Sequence, residues 1–401
     1  MRRLLTLLLI SITLFGFTSC EDSYETETLN PETRTILVYF PWSGTENGSS
    51  SSLYNNVKQN LDSIKSAIGK MTGLANNRVI VFINENAKEA HMYEVHYRRG
   101  YAELTTLHHY GADYEELPDI TSTSGLRTIL NQAYDVTQSN TWQMIIGCHG
   151  LGWVDKELSP ESRAFGGGDN ATKIDVEDFA KAVTTSSIGK FEYILFDDCY
   201  MSGVETVHYL KDATHYFIAS TSEIMAAGMP YNIAWKYLIG EPNYAGIINS
   251  FSSYYNSQTY GTNFSGCLSV IDCTQIDNLA AVMKNINSQG YELTAQQRNS
   301  LQYLDGFNNH AFYDIRDYVS TLIDDNNSAL MGQFETALSR LVPYTYTTPY
   351  IFSYFITGGE YRQFFKIKDV NTYSGLSISD PSINSDIVNT REQTSWWKAT
   401  H

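Results

Sequence analysis

Gln143-Met-Ile-Ile-Gly-Cys-His-Gly-Leu-Gly-Trp153 is an apolar run that breaks into a glycine-rich loop, and Tyr193-Ile-Leu-Phe-Asp-Asp-Cys199 ends in the same way. From His149 to Cys199 the separation is 199 − 149 = 50 residues. Each run is short, bounded and rich in β-formers, the pattern of a strand buried on both faces. Between them, Val176 to Val183 carries apolar residues at helical spacing. Strand, helix, strand is a βαβ unit, and its right-handed crossover sets the two strands parallel and close together. Paired strands lie about 4.8 Å apart. His149 and Cys199, each just past a strand end, are therefore expected at one edge of the sheet, where open parallel sheets bind ligands.

The same rhythm runs outward. Thr35 to Phe40, Val79 to Ile83 and Tyr216 to Ala219 read as buried strands. Leu53 to Ile68, Leu126 to Val136 and Val204 to Leu210 read as amphipathic helices, and residues 92–109 as a polar hairpin or extension. The expected fold is α/β: a mostly parallel sheet with helices on both faces over residues 34–240. From residue 241 the character changes. Ile247 to Tyr255, Ile276 to Ile286, Tyr318 to Ile323 and Leu330 to Leu341 read as helices around one strand, Cys267 to Ile271, and the Tyr- and Thr-rich tail from Thr345 reads as extended. Residues 241–401 are thus a helical and mixed C-terminal extension.

The chain has 401 residues, 42% of them hydrophobic and 18% charged, enough to bury a sizeable core. Its 27 basic and 44 acidic residues give a net charge of −17. That argues against nucleic acid as a partner, which calls for clustered Lys and Arg. Five cysteines are too few, and odd in number, for a disulfide scaffold.

Arg2 and Arg3 precede an apolar run from Leu4 to Phe15, and the small residues Thr18 and Ser19 lead to Cys20. The run is too short to span a bilayer and reads as an export signal. A signal ending in small residues and Cys resembles the bacterial lipoprotein signal, which implies lipidation of Cys20. The expected layout is a signal over 1–20, a tether over 21–33 and a protein held to the bacterial envelope by its N-terminal lipid. Glu21 and Asp22 resemble an export mark to the outer membrane and cell surface.

An imidazole beside a thiol lowers the thiol's pKa, takes its proton and later protonates a leaving amine. The glycines after His149 let a backbone N–H approach a substrate carbonyl, as an oxyanion hole requires. The ordinary alternative is a buried Cys and a structural His.

The joint pattern decides between them. His149-Gly-x-Gly-Trp153 after one strand and Phe196-Asp-x-Cys199 after the next resemble the clostripain family of cysteine peptidases. That family has the caspase-like fold, in which the His lies about 50 residues upstream of the Cys. The resemblance continues through Tyr200-Met-Ser-Gly-Val-Glu-Thr206 and Ala219-Ser-Thr-Ser-Glu-Ile-Met-Ala-Ala-Gly-Met-Pro-Tyr231, and returns at Gly375-Leu-Ser-Ile378. It implies Cys199 as nucleophile, His149 as general acid/base and the N–H groups of Gly150 and Cys199 as oxyanion hole. It also implies Asp197 at the base of a pocket for a substrate Arg or Lys, since a cation offsets a carboxylate's desolvation. Asp198 replaces a usually small residue and is expected as a second acidic contact or a solvated side chain. Family members are cut after a basic residue between His and Cys. Arg163 is the favoured site and Lys156 the runner-up, in a loop over 154–170 expected to be exposed at Gly166-Gly-Gly168.

No cofactor is required by thiol chemistry. Calcium, used by some family members, is permitted by the acidic surplus, although no EF-hand spacing occurs. His91 and His96 are five apart and His108 and His109 adjacent, so no tetrahedral spacing appears and no metal site is expected. Cys148, Cys267 and Cys273 read as buried thiols, and Trp396-Trp397 as core packing. The reading is an endopeptidase acting on extracellular proteins or peptides after Arg or Lys. The alternative is a surface-binding lipoprotein that keeps the fold without turnover.

Overall fold

The computed structural model describes residues 33–48, 52–154, 165–257, 265–307, 309–323, 327–349, 351, 355–357, 360–362 and 373–401. Cys20, Lys156 and Arg163, with the signal and nearly all of the tether, lie outside these residues.

Nine strands form one sheet. They are β1 (Arg34–Phe40), β2 (Asn77–Asn86), β3 (Glu89–Arg98), β4 (Tyr101–Tyr110) and β5 (Thr141–Ile146), then β9 (Phe191–Phe196), β10 (Thr214–Ala219), β11 (Cys267–Asp272) and β13 (Tyr344–Thr347), the two-residue β12 (Tyr313–Asp314) lying outside it. The order is β13-β11-β10-β9-β5-β1-β2-β3-β4. The five inner strands from β10 to β2 are parallel, while β3 and β4 close one side and β11 and β13 the other in antiparallel pairing. The hairpin expected over 92–109 is the β3–β4 pair; the tail expected to be extended from Thr345 begins in β13 but ends in helices over Ser385–Thr390 and Ser395–Thr400. The hairpin and β13 both join the main sheet. The segment beyond residue 241 therefore supplies two of its strands as well as helices.

Side chains alternate across a strand, and the two faces carry separate apolar clusters. In β1, Leu37 and Tyr39 pack with helices α2 (Thr123–Thr137), α3 (Val176–Thr184), α4 (Val204–Leu210) and α7 (Ile276–Asn287). Ile36, Val38 and Phe40 face the other way, toward α1 (Ser52–Gly69), α5 (Tyr231–Leu238) and α6 (Tyr244–Ser257). All five are almost wholly buried, and full burial of each such side chain contributes about 1.5–3 kcal/mol. The expected α/β architecture is present: a mixed, mostly parallel sheet between two helical layers. No helix among the described residues is long and apolar enough to cross a membrane.

Three two-residue strands form a small accessory sheet beyond β5. His149–Gly150 (β6) pairs antiparallel with Phe165–Gly166 (β7), which pairs with Lys173–Ile174 (β8). The glycine run is packed into it, contrary to the expected exposure. Gly166 and Gly167 are buried and Gly168 alone is exposed. The Gly167 N–H donates to Thr172 O and the Gly168 N–H to Gly44 O. A Cβ on Gly167 would lie 1.9 Å from Thr172 Oγ1. Val154, at the other end of the loop, is also buried.

Candidate active site

β5 and β9 are direct parallel neighbours, with Ile146 opposite Phe196, and the Asp197 N–H continues the ladder to Ile146 O at 2.8 Å. In this register the loops carrying His149 and Cys199 leave the sheet side by side. Gly150 lies against the nucleophile candidate's backbone: a Cβ there would meet Cys199 O at 2.7 Å and Asp198 Cβ at 2.9 Å. Only glycine permits that approach. The His149 side chain is exposed and Cys199 is half-buried.

The Cys199 thiol sulfur accepts the Ile224 N–H at 3.4 Å and lies 4.0 Å from Ile224 O. Burial, then the nearby Glu223 charge, pushes the thiol well above its ordinary value. The next residue, Tyr200, holds a left-handed backbone at φ 60°, costly for a bulky side chain. The surroundings hold it there. Its N–H donates to Ser222 O, its hydroxyl donates to Glu223 at 2.7 Å, and its ring stacks on Phe312 at 5.2 Å. Glu223 and Ile224 fall in the stretch that resembles the family, but their contacts with Tyr200 and Cys199, and this backbone strain, are not legible in the sequence.

The two aspartates before Cys199 part company. Asp197 receives the Met229 N–H at 2.9 and 3.1 Å, the Tyr231 hydroxyl at 2.9 Å and Asn60 Nδ2 at 3.5 Å. Burial raises it to about 6 despite these donors. Asp198 is wholly buried and faces the other way. Its carboxylate accepts the Cys148 N–H at 2.6 Å and the Cys148 thiol at 3.2 Å. Burial raises Asp198 to about 7. It is neither solvated nor beside Asp197 in a shared pocket.

Ser220, Thr221 and Ser222 form a buried hydroxyl cluster. All three side chains lie 3.0–3.3 Å from Cys267 Sγ. Cys148, Cys267 and Cys273 are buried free thiols. The C-terminal Gly375-Leu-Ser-Ile378 returns to the site's back. The Ser377 N–H donates to Ser202 O, and Ser202 Oγ donates to Gly375 O, both at 2.9 Å. Trp153 Nε1 donates to Ser379 Oγ at 3.0 Å. Trp396 is fully buried in the core, whereas Trp397 is partly exposed and stacks on His401.

The model of the clostripain family, peptidase family C11, matches residues 45–344. Among solved structures, a secreted C11 cysteine protease from Bacteroides thetaiotaomicron is 37% identical, with TM-score 0.80 over 93% of this chain and 100% of its own. An inactive zymogen C11 protease from Parabacteroides distasonis is 25% identical, with TM-score 0.73 over 93% and 99%. A clostripain from B. thetaiotaomicron, solved with the peptide inhibitor BTN-VLTK-AOMK, is 42% identical over 59% of this chain and 99% of its own, with TM-score 0.53. No curated protein matches the chain.

Proposed function

The chain belongs to the clostripain family of cysteine peptidases, and on that premise we propose that it is an endopeptidase cutting after Arg or Lys through a His149–Cys199 dyad. The close approach of Gly150 to the Cys199 carbonyl carries the reading, because it joins the two loops at one point. His149 takes the proton of the Cys199 thiol as sulfur attacks the scissile carbonyl. The tetrahedral oxyanion is held by the backbone N–H groups of Gly150 and Cys199. On collapse the C–N bond breaks and the amine leaves with the proton from His149. Water, deprotonated by His149, then hydrolyses the thioester and restores the thiol. The raised Cys199 supports general-base attack over a standing thiolate.

Asp197 is the proposed anchor for the substrate cation. It is buried and close to the nucleophile, and a guanidinium or ammonium would offset its desolvation. The inhibitor held by the 42% identical clostripain has a lysine as its last amino acid, in keeping with a basic preference. The bonds from Met229 and Tyr231 support a second reading, in which Asp197 pins the 228–231 turn. Activation is proposed by cleavage at Arg163, with Lys156 as runner-up, in the stretch between buried Val154 and Phe165. One relative is an inactive zymogen. Export, lipidation at Cys20 and an outer-membrane or surface position complete the proposal, with calcium a modulator to be tested.

The experiment is a panel of fluorogenic peptides ending in Arg, Lys or a neutral residue, with and without calcium, on uncut protein and on protein cut at Arg163. Thiol-sensitive turnover of the basic peptides, lost in Cys199→Ala, is expected. Turnover of the neutral peptide alone would remove the basic specificity. No turnover of any peptide would remove the dyad.

A further inference from the structure

At the β2–β3–β4 side of the sheet, away from the β5 and β9 strand ends, two histidines and a glutamate converge on one face. His91 of β3 stands directly opposite His109 of β4. Glu89 lies two residues before His91, hence on the same side of the strand. One donor atom from each of Glu89, His91 and His109 lies within 4.8 Å of the other two. Glu89 Oε1 is 3.1 Å from His109 Nε2. The imidazole rings stack with centroids 4.0 Å apart, and Tyr93 and Tyr114 stack on them in turn. Glu85, which accepts the Tyr54 hydroxyl, has its other oxygen 4.0 Å from His91 Nδ1. That nitrogen is buried and has no hydrogen-bond partner.

We propose that Glu89, His91 and His109 form a divalent transition-metal site that cross-links the two outer strands, with Zn²⁺ the fitting ion. Two imidazole nitrogens and a carboxylate oxygen are a donor set zinc takes readily, at about 2.0–2.2 Å. Glu85 or a water fills the fourth position. Binding draws the donors inward and unstacks the two rings, a side-chain movement that keeps the strand register. It also gives His91 Nδ1 the partner it lacks, and a buried nitrogen without one costs about 1–3 kcal/mol. Linear spacing conceals this set, because its donors meet only through strand pairing.

The test is Zn²⁺ titration of the full-length Cys199→Ala protein against a chromophoric chelator, followed by Co²⁺ absorption. Removing Cys199 eliminates its thiol as a competing ligand. One equivalent is expected to bind with micromolar affinity or better, on the order of 10-fold weaker or more in His91→Ala and in His109→Gln. His108→Ala, on the opposite face of the hairpin, should leave the affinity unchanged. The Co²⁺ spectrum should show d–d bands without sulfur charge transfer. Zn²⁺ should raise the unfolding temperature of the parent but not of His91→Ala. Affinity no tighter than about millimolar, or affinity equal in parent, His91→Ala and His109→Gln, overturns the site.

Discussion

Asp198 grips Cys148 twice, accepting its backbone N–H at 2.6 Å and its thiol at 3.2 Å. These are the residues just before Cys199 and His149, so this buried clamp ties the two catalytic candidates' loops together. Asp198→Ala strands both donors in the core, at about 1–3 kcal/mol for each unsatisfied group. The unfolding temperature should drop by several degrees. Because an error near 1 Å in placement costs about 100-fold in rate, kcat should fall at least tenfold with KM little changed. Unchanged kcat in a folded Asp198→Ala protein would deny the clamp any positioning role.

Much of this arrangement was legible in advance, and the limits have physical causes. The strand ends, the joining helix and the 50-residue offset follow from periodicity and crossover handedness, which act through local pattern. The direction of Asp198 was not legible, since side chains 197 and 198 leave a turn whose geometry depends on Cys148 and Met229. Gly166 and Gly167 looked like exposed loop because glycine marks both open turns and close backbone contact. Here pairing of Phe165–Gly166 with His149–Gly150 requires contact. Helix α5 is not legible in the sequence, where its first residue, Tyr231, also closes the motif that begins at Ala219.

Gly150 should tolerate no side chain. The atom nearest an added Cβ is a backbone oxygen, Cys199 O, at 2.7 Å, and backbone cannot swing aside. Gly150→Ala is expected to abolish turnover and reactivity with a thiol-directed peptide inhibitor. Gly332, inside helix Ser328–Leu341 with nothing within 4 Å of an added Cβ, is the control. Gly332→Ala should keep full activity and stabilise by about 0.5–1 kcal/mol. Active-site titration and thermal unfolding of both variants check the pair.

The raised Cys199 thiol predicts slow alkylation. Burial and then Glu223 disfavour its thiolate, so iodoacetamide labelling should keep rising with pH beyond 9 rather than level off near neutrality. Glu223→Gln removes one charge and should speed labelling at pH 7 several-fold. It also weakens the Tyr200 contact at 2.7 Å, so peptide turnover serves as the check on geometry. A labelling plateau below pH 7 would mean a standing thiolate–imidazolium pair.

Glu205 and Asp380 predict how stability responds to pH. Burial and the Asp380 charge raise Glu205 to about 8, and burial raises Asp380 to about 7 despite Arg391. Both folded values exceed those of the unfolded chain, so the native protein holds extra protons between about pH 4 and 8. In that window these groups make stability fall as pH rises. The unfolding temperature should be higher at pH 5.5 than at pH 8.5. Glu205→Gln, which can still accept the Ser379 N–H through its amide oxygen, should flatten the slope. An unchanged slope in that variant would assign the dependence elsewhere.

Asp197 offers the sharpest separation of pocket base from structural pin. Free, it titrates near 6, raised by burial against the donors from Met229 and Tyr231. A substrate ammonium or guanidinium binds its ionised form, so protonation below pH 6 should weaken basic substrates and spare isosteric neutral ones. The ratio of kcat/KM for a lysine peptide to that for its norleucine counterpart cancels any ionisation in the catalytic machinery, which affects both. That ratio should decline roughly tenfold per pH unit below 6 and level off above it. Asp197→Asn should flatten the ratio and lower it by about 100-fold, the scale of losing a buried charge-assisted bond. If Asp197 only pins the 228–231 turn, Asp197→Asn will instead lower the unfolding temperature and slow both peptides equally, leaving the ratio unchanged at every pH.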